Sequence, residues 1–169
     1  MNALIAGVLL LASLLPIGEA VADEAADFEQ RCHMEIARLH VTIEAWMAGS
    51  IPDTDEAYAS FSEAMADDFE IIAPSGKRSN QKQIIAAFRA AHGSRTAGFS
   101  IAIRNIRTRM VSPPLALLTY EEWQYEGGQA SARFSSVLLR DDPARPGGVA
   151  WVHLQETWLP GLSPADRSL

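Results

Sequence analysis

Residues 115–140, LALLTYEEWQYEGGQASARFSSVLLR, decide the fold of this chain. The two halves of the stretch are rich in apolar, aromatic and β-branched residues, and they meet at Gly127-Gly128. A two-residue Gly-Gly link suits the tight turns that require positive φ. The stretch therefore predicts two antiparallel β-strands joined by a turn at these glycines.

Counting outward from that turn fixes which residues face each other across the hairpin. One face carries three pairs: Glu122 with Arg133, Tyr120 with Ser135, and Gln124 with Ser131. The opposite face carries Trp123 with Ala132, Glu121 with Phe134, and Thr119 with Ser136. Because both faces hold aromatic or charged side chains, we expect both to be buried or docked against another surface.

The composition bounds the class of protein. A chain of 169 residues that is 48% apolar predicts a single folded domain. Its net charge of -7 argues against a nucleic-acid partner, because nucleic-acid binders display a basic field. Cys32 is the only cysteine, so we expect a buried thiol in a helix and no intramolecular disulfide. His33 and His40 share a helix flank without further ligands, and we expect neither a metal nor a cofactor.

The N-terminal residues predict an export signal. Residues 3–15 are an apolar run that is too short to span a membrane, and Ala20-Val21-Ala22 is a small-x-small cleavage site. We expect a signal peptide at 1–22 that is cleaved after Ala22, a single domain at 23–160 and a flexible tail at 161–169. The mature protein is then periplasmic or secreted and has no membrane partner. The alternative is an uncleaved N-terminal anchor.

The spacing of apolar residues predicts three helices before the hairpin. The first covers residues 25–48, and the second is capped by Asp53 and carries an apolar stripe of Tyr58, Phe61 and Met65. Residues 66–68 end that helix and precede a short strand at 69–72. Ser79 caps the third helix. Asp67-Asp68 is interpreted as a polar helix end, with a catalytic acid pair as the lesser alternative.

Strands follow the helices. Residues 98–111 alternate with period two, and residues 149–159 form the last strand. Arg104 is either a solvated edge charge or a group that points at an anion. Helices followed by strands predict an α+β fold, with N-terminal helices packed on a curved antiparallel sheet.

Four segments carry a resemblance to a known family: DDFEIIAPSGK at 67–77, TYEEWQ at 119–124, RFSSVLL at 133–139 and WVHLQETWLP at 151–160. They resemble the nuclear transport factor 2-like superfamily, in particular its SnoaL-like branch of unknown function and the association domain of calmodulin-dependent kinase II. The resemblance covers residues 28–160. It implies a conical fold with a pocket between sheet and helices, and pairing of two copies through the outer sheet face. In the family pattern a histidine stands where this chain has Gln155.

The candidate ligand pocket follows from the hairpin. Tyr120, Glu122, Arg133 and Ser135 share a face, and a pairing of the next hairpin that sets Glu156 opposite Arg133 adds a second carboxylate, with Val152 and Leu154 beside it. Two carboxylates on an apolar wall have shifted pKa values and suit acid–base chemistry. A slip of one residue would bring Trp151, His153 and Gln155 to the wall instead, which makes His153 the reserve residue for proton transfer. Alternatively, Glu122 and Arg133 are only a structural pair.

Three functions are open from the sequence. The first is an exported, dimeric domain that binds a small, partly apolar molecule. The second is an isomerase or lyase that moves a proton through Glu122, Glu156 or His153. The third is an interaction or oligomerisation domain. Its dimer face would carry Trp123, Phe134 and Trp151.

Overall fold

The computed structural model describes residues 17–164, with side chains from residue 22 onward. The elements, in chain order, are α1 (Ile17–Met47), α2 (Asp55–Ser62), β1 (Met65–Ile72), β2 (Arg78–Asn80), α3 (Gln81–Ala90), β3 (Ser100–Ser112), β4 (Leu115–Glu126), β5 (Gln129–Asp141), a 3-10 turn (Pro146–Gly148) and β6 (Val149–Trp158). Three helices thus pack on one sheet, which confirms the α+β prediction. No helix within the described residues is long and apolar enough to cross a membrane.

The sheet has six strands in the order β2-β1-β6-β5-β4-β3. All neighbours are antiparallel except β1 and β6, which run parallel. The prediction of a wholly antiparallel sheet was therefore wrong at this one contact. The chain reaches it through a long crossover that contains α3 and the central hairpin, as parallel pairing requires.

The predicted signal peptide and tail lie mostly outside the described residues. Residues 1–16 of the predicted signal peptide lie outside the described residues, and residues 17–22 belong to α1. Residues 165–169 of the predicted tail also lie outside them. The signal peptide and its cleavage site stay predictions.

The central hairpin has the predicted register. Glu122 pairs with Arg133 and Tyr120 with Ser135. Gly127 and Gly128 have φ values of 58° and 77°, which is the conformation that a two-residue primed turn requires. The turn chemistry therefore fixed which side chains share a face.

The pairing of β5 with β6 differs from the prediction. Glu156 lies opposite Ser135, and Arg133 lies opposite Trp158. A shift of two residues keeps Glu156 on the predicted face, because side chains alternate with period two. An irregularity between Leu138 and Leu139 then changes the alternation further along β6.

That irregularity has the effect of a β-bulge. His153 pairs with Leu138 and Trp151 pairs with Leu139, so that Val152 is passed over. Trp151 and Leu154 are consequently buried together with Glu156, whereas Val152 and His153 are only half-buried. Strict alternation predicted that Val152 belongs to the pocket wall, and this prediction was wrong.

Two helix caps also differ from the prediction. Thr54, rather than Asp53, caps α2 by accepting a hydrogen bond from the backbone N–H of Ala57 at 3.2 Å. Asn80, rather than Ser79, caps α3. The Asn80 side chain accepts from the backbone of Gln83 at 3.0 Å and the Gln83 side chain accepts in return at 3.0 Å, so both free donors are satisfied.

Strand β1 begins earlier than expected. Met65 and the Asp67-Asp68 pair belong to the strand and not to the end of a helix. The backbone N–H of Trp151 donates to the carbonyl of Ala64 at 2.9 Å, which draws this segment to β6. Asp68 contacts Arg140 at 3.4 Å and Asp67 contacts Arg145 at 3.4 Å, both as exposed ion pairs.

The core lies between α1 and the sheet. The apolar stripe of α1 is buried as its spacing of three and four residues predicts: Phe28, Cys32, Ile36, Leu39 and Trp46. Burial raises the pKa of the Cys32 thiol to about 12, which keeps it protonated and inert. Trp46 also donates from its Nε1 to the carbonyl of Phe88 at 2.7 Å, which ties α1 to α3.

Candidate functional site

A cavity of about 330 Å³ lies between α1, α3 and the covered face of the sheet. Most of its wall is apolar and includes Leu39, Ile43, Phe61, Phe88, Trp151 and Leu154. Its polar side chains are His40, Glu122, Arg133 and Glu156. An apolar pocket with a few convergent polar groups is the usual form of a small-molecule site.

Glu122 holds the polar end of the cavity together. Its buried carboxylate accepts from Arg133 Nε at 3.1 Å and from Gln124 Nε2 at 2.7 Å, and His40 Nε2 lies 3.3 Å from Oε2. Burial alone would raise the pKa of this carboxyl, but Arg133 and the hydrogen bond from His40 hold it well below its usual range. Glu122 therefore stays ionised and fully bonded.

His40 lines the cavity, although the sequence predicts no role for it there. Its Nδ1 lies 2.6 Å from the carbonyl oxygen of Ile36, and a carbonyl only accepts, so Nδ1 carries a proton. The ring thereby turns Nε2 toward Glu122. A signal existed in the sequence, because His40 is four residues after Ile36 and falls on the buried stripe of α1.

Glu156 is the group best suited to exchange a proton near neutral pH. Its Oε1 lies 3.0 Å from Arg133 Nε, and the residue is only 6% exposed. Burial raises the pKa of Glu156 to about 7, with Arg133 opposing the shift and Glu122 adding to it. One cation thus stabilises two carboxylates, and the second carboxylate is the one that protonates first.

Tyr120 and Ser135 form a layer behind this end of the cavity and do not line it. Both are fully buried, and their hydroxyl groups lie close to one another, but neither Tyr120 Oη nor Ser135 Oγ makes a hydrogen bond of good geometry among the described residues. Burial raises the pKa of Tyr120 well above its ordinary value. Its ring packs edge-on against His40 with centroids 5.3 Å apart. The two residues support the polar end from behind.

His153, the reserve residue for proton transfer, lies outside the cavity lining. It pairs with Glu70 in β1 and with Leu138 in β5. The bulge in the β5–β6 pairing explains this, because it brings Trp151 to the wall without bringing His153 with it. The structure thus joins Glu122, Arg133 and Glu156, as predicted, and leaves His153 out.

The outer face of the sheet carries two of the three predicted dimer residues. Phe134 is 42% exposed, and Trp123 is half-buried with its Nε1 donating to Glu121 at 2.9 Å. Trp151 was wrongly placed there, since it is 2% exposed and lines the cavity. Arg104 lies over the Trp123 ring at 4.6 Å and is exposed, in agreement with a solvated edge charge.

A second cavity of about 420 Å³ shares Ile43, Met47 and Arg133 with the first. Its lining is more polar and includes Arg95, Gln124, Glu126, Ser131 and Trp158. Within residues 17–164, no group of three or more His, Cys, Asp or Glu side chains is placed to hold a metal ion.

Residues 32–160 match the family model described as the C-terminal region of sucrose-6-phosphate phosphohydrolase. The chain belongs to this family. The relatives include sucrose-phosphatase 2 and sucrose-phosphatase 1 of Nicotiana tabacum, which are 21% and 22% identical over 136 residues. Those matches cover 79% of the chain and 32% of each relative, so the chain spans about a third of their length.

Solved structures show that this family member has the nuclear transport factor 2-like fold, as the sequence resemblance predicted. An NTF2-like protein of unknown function from Pseudomonas aeruginosa is 30% identical, with a TM-score of 0.69 over 76% of the chain and 98% of that protein. An NTF2-like protein from Novosphingobium aromaticivorans is 16% identical, with a TM-score of 0.65 over 92% and 97%. The CaMKII hub of S. rosetta is 12% identical, with a TM-score of 0.58 over 77% and 95%.

Proposed function

We propose that this protein binds a small, partly apolar molecule in the cavity between α1, α3 and the sheet. The observation that carries the proposal is the convergence of Glu122, Arg133 and Glu156 at one end of an otherwise apolar wall. The wall favours the apolar part of a ligand by removing it from water, and the polar end orients a hydrogen-bonding group.

Within this site, Glu156 is the residue that would contact the polar group of the ligand. Glu122 is committed to Arg133, Gln124 and His40. Glu156 has Arg133 as its ion-pair partner and faces the cavity. With a pKa of about 7 it can either donate or accept a hydrogen bond at neutral pH, which suits a hydroxyl or carbonyl group.

A matched pair of variants on α3 tests the proposal. Both Ala87 and its neighbour Ala86 are exposed, but Ala87 lines the cavity and Ala86 does not. We expect 2-naphthol to bind saturably to the parent protein, as measured by quenching of tryptophan fluorescence. Ala87→Phe should weaken that binding about tenfold or more by filling the space, while Ala86→Phe leaves it unchanged. Equal affinity in both variants, or no binding to the parent protein, would refute the proposal.

The names of the tobacco relatives add a further class of ligand to the same titration. They are sucrose-phosphatases, which suggests sugar chemistry for longer members of the family. Sucrose and sucrose 6-phosphate are therefore appropriate probes beside 2-naphthol. Saturable binding that Ala87→Phe weakens would extend the proposal to hydroxylated ligands.

A second candidate function is proton transfer, as in an isomerase or lyase. The observation that favours it is the pKa of about 7 at Glu156, since a general base works best when its pKa lies near the working pH. We expect the protein to speed deuterium exchange at the carbon beside the carbonyl of 2-tetralone, followed by NMR. Glu156→Gln should abolish the increase. A rate that is unchanged in this variant would exclude Glu156 as the base.

We also propose that two copies pair through the outer sheet face. Phe134 is 42% exposed and Met110 is 47% exposed on this part of the molecule, and large exposed apolar groups mark contact surfaces. Analytical ultracentrifugation should find a dimer that Phe134→Glu dissociates. A parent protein that remains monomeric at high micromolar concentration would argue against pairing.

Export is proposed from the apolar run and cleavage site in residues 1–22. Expression of the full chain in a bacterial host, followed by N-terminal sequencing of the periplasmic fraction, should give a chain that starts at Asp23. Retention of Met1 in the cytoplasmic fraction would contradict this proposal.

A further inference from the structure

The two cavities meet at the same three side chains. Ile43 and Met47, which are one turn apart on α1, line both of them, and so does Arg133 from β5. We infer that the two cavities form one extended site for an amphiphile with an apolar tail and an uncharged head rich in hydroxyl groups. This inference rests on the proposed function and specifies the chemical class of the ligand.

The inner cavity suits the tail. Away from its polar end the lining is aliphatic or aromatic, with Phe61, Ile84 and Leu154 among its members. Such a surface gains most from a hydrocarbon group of matching shape. Its volume of about 330 Å³ is within the range of small-molecule pockets.

The outer cavity suits a hydroxylated head. Trp158 supplies a ring surface, and Gln124 and Ser131 supply polar atoms. Gln124 donates from its Nε2 to Glu122 at 2.7 Å. Its amide oxygen is then the atom that can accept a hydrogen bond from a hydroxyl group of the ligand. A sugar-like ring presents C–H groups on its faces and hydroxyl groups at its edge, so it matches a tryptophan beside polar side chains.

The charges of both cavities argue for a neutral head. Arg95 lies 3.1 Å from Glu126, and Glu126 also accepts from the backbone of Thr96 at 2.8 Å. Arg133 is within ion-pair distance of both Glu122 and Glu156, and His40 Nε2 lies 3.3 Å from Glu122. Each of these charged side chains already has an opposite partner. An ionised head would lose its hydration on binding and would find no unpaired opposite charge in either cavity to compensate for that loss. Binding of an ionised head is therefore less favourable than binding of a neutral head.

Ligands that share one tail and differ in the head test the inference. We would titrate the protein by calorimetry with n-octyl β-D-glucoside, octanoate, octyltrimethylammonium and free glucose, each below the concentration at which it forms micelles. The glucoside should bind about tenfold tighter than either charged ligand, and glucose alone should bind weakest. Tighter binding of octanoate or octyltrimethylammonium would overturn the inference and leave the proposed function intact. Failure of all the octyl ligands to bind would overturn both.

Two tryptophans provide a matched pair of variants. Trp158→Leu should weaken glucoside binding about tenfold and leave octanoate binding unchanged, because it alters only the outer cavity. Trp123→Leu, on the outer sheet face, should change neither. Ser131→Ala provides a second test of the outer cavity with a smaller change in volume. Glucoside affinity that is the same in Trp158→Leu and Ser131→Ala as in the parent protein would exclude the outer cavity as the head site.

Discussion

The Nε atom of Arg133 lies 3.0 Å from Oε1 of Glu156, although Glu156 is the cross-strand partner of Ser135 and not of Arg133. The long arginine side chain reaches diagonally across the strand pair, as diagonal neighbours in antiparallel sheets can do. The same Nε donates to Oε2 of Glu122 at 3.1 Å, and Nη2 of Arg133 donates to Oε1 of Glu122. A single cation therefore joins carboxylates from β4 and β6, which creates the polar end of the cavity.

The first prediction concerns the effect of pH on stability through Glu156. Its pKa in the folded protein is about 7, above the ordinary value of 4.5, so its contribution to stability is present at low pH and is lost as the pH rises through about 7. Urea unfolding from about pH 5 to about pH 8 should show a decline in the free energy of unfolding on the order of 2 kcal/mol that Glu156→Gln removes.

Glu121→Gln is the control for that experiment. The pKa of Glu121 is lowered, first of all by the hydrogen bond from Trp123, so its contribution is present above its ordinary pKa and is lost only as the pH falls. This variant should parallel the parent protein between about pH 5 and about pH 8. If Glu156→Gln also parallels the parent protein, Glu156 does not carry the raised pKa.

The second prediction concerns Glu122. Glu122→Ala would leave Arg133 without its bidentate partner and His40 without its carboxylate in a buried environment. Breaking a buried pair in this way costs about 3–5 kcal/mol, which urea unfolding at neutral pH should detect. The adjacent Glu121 lies on the outer face, and Glu121→Ala should cost less than about 1 kcal/mol. Similar losses in the two variants would mean that the polar end contributes little to stability.

The hairpin was predictable because its turn is local. Gly127-Gly128 fixes the register of β4 and β5 through chemistry that is visible within two residues. The β5–β6 register was not predictable, because residues 142–148 connect the strands without a turn that fixes the pairing. The bulge beside Leu138 depends on contacts across the sheet. Strict alternation of side chains therefore did not predict correctly which faces Val152 and His153 occupy.

His40 could not be placed beside Glu122 from the sequence. Its position on the apolar stripe of α1 predicts burial, but its partner Glu122 is distant in the chain and only the fold brings them together. The early start of β1 was missed for the same reason, because it also depends on a contact with a distant part of the chain. Residues 65–68 follow a helix closely enough to suggest its end, and the hydrogen bond from Trp151 to Ala64 makes them a strand. In both cases long-range contacts outweigh local pattern.

The third prediction concerns Gly147, which has a φ of 73°. A Cβ atom at this position would overlap Oε2 of Glu35 and lie 3.1 Å from its Cδ. Glu35 is buried and held by Arg38 at 2.6 Å, so it cannot move away without losing that bond. Gly147→Ala should therefore lower the free energy of unfolding by about 2–4 kcal/mol, measured by urea unfolding.

Gly76 separates the effect of overlap from that of backbone strain. Its φ is 82°, but a Cβ atom there would have no neighbour within 4 Å. Gly76→Ala should cost only about 1 kcal/mol, from backbone strain alone. An equal loss in the free energy of unfolding in the two variants would show that overlap with Glu35 does not add to the cost of Gly147→Ala.

The last prediction compares two tyrosines that differ in whether the hydroxyl group is bonded. Tyr58 donates to the carbonyl of Ile85 at 2.8 Å, whereas Tyr120 Oη is buried beside the Ser135 hydroxyl and makes no hydrogen bond of good geometry among the described residues. Removing a bonded hydroxyl loses about 0.5–1.5 kcal/mol, while removing an unbonded buried one relieves a desolvation cost. Tyr58→Phe should therefore destabilise the protein, and Tyr120→Phe should be neutral or stabilising in urea unfolding. A loss in Tyr120→Phe as large as that in Tyr58→Phe would show that a bound water bonds this hydroxyl, and a high-resolution crystal structure would locate that water beside Ser135.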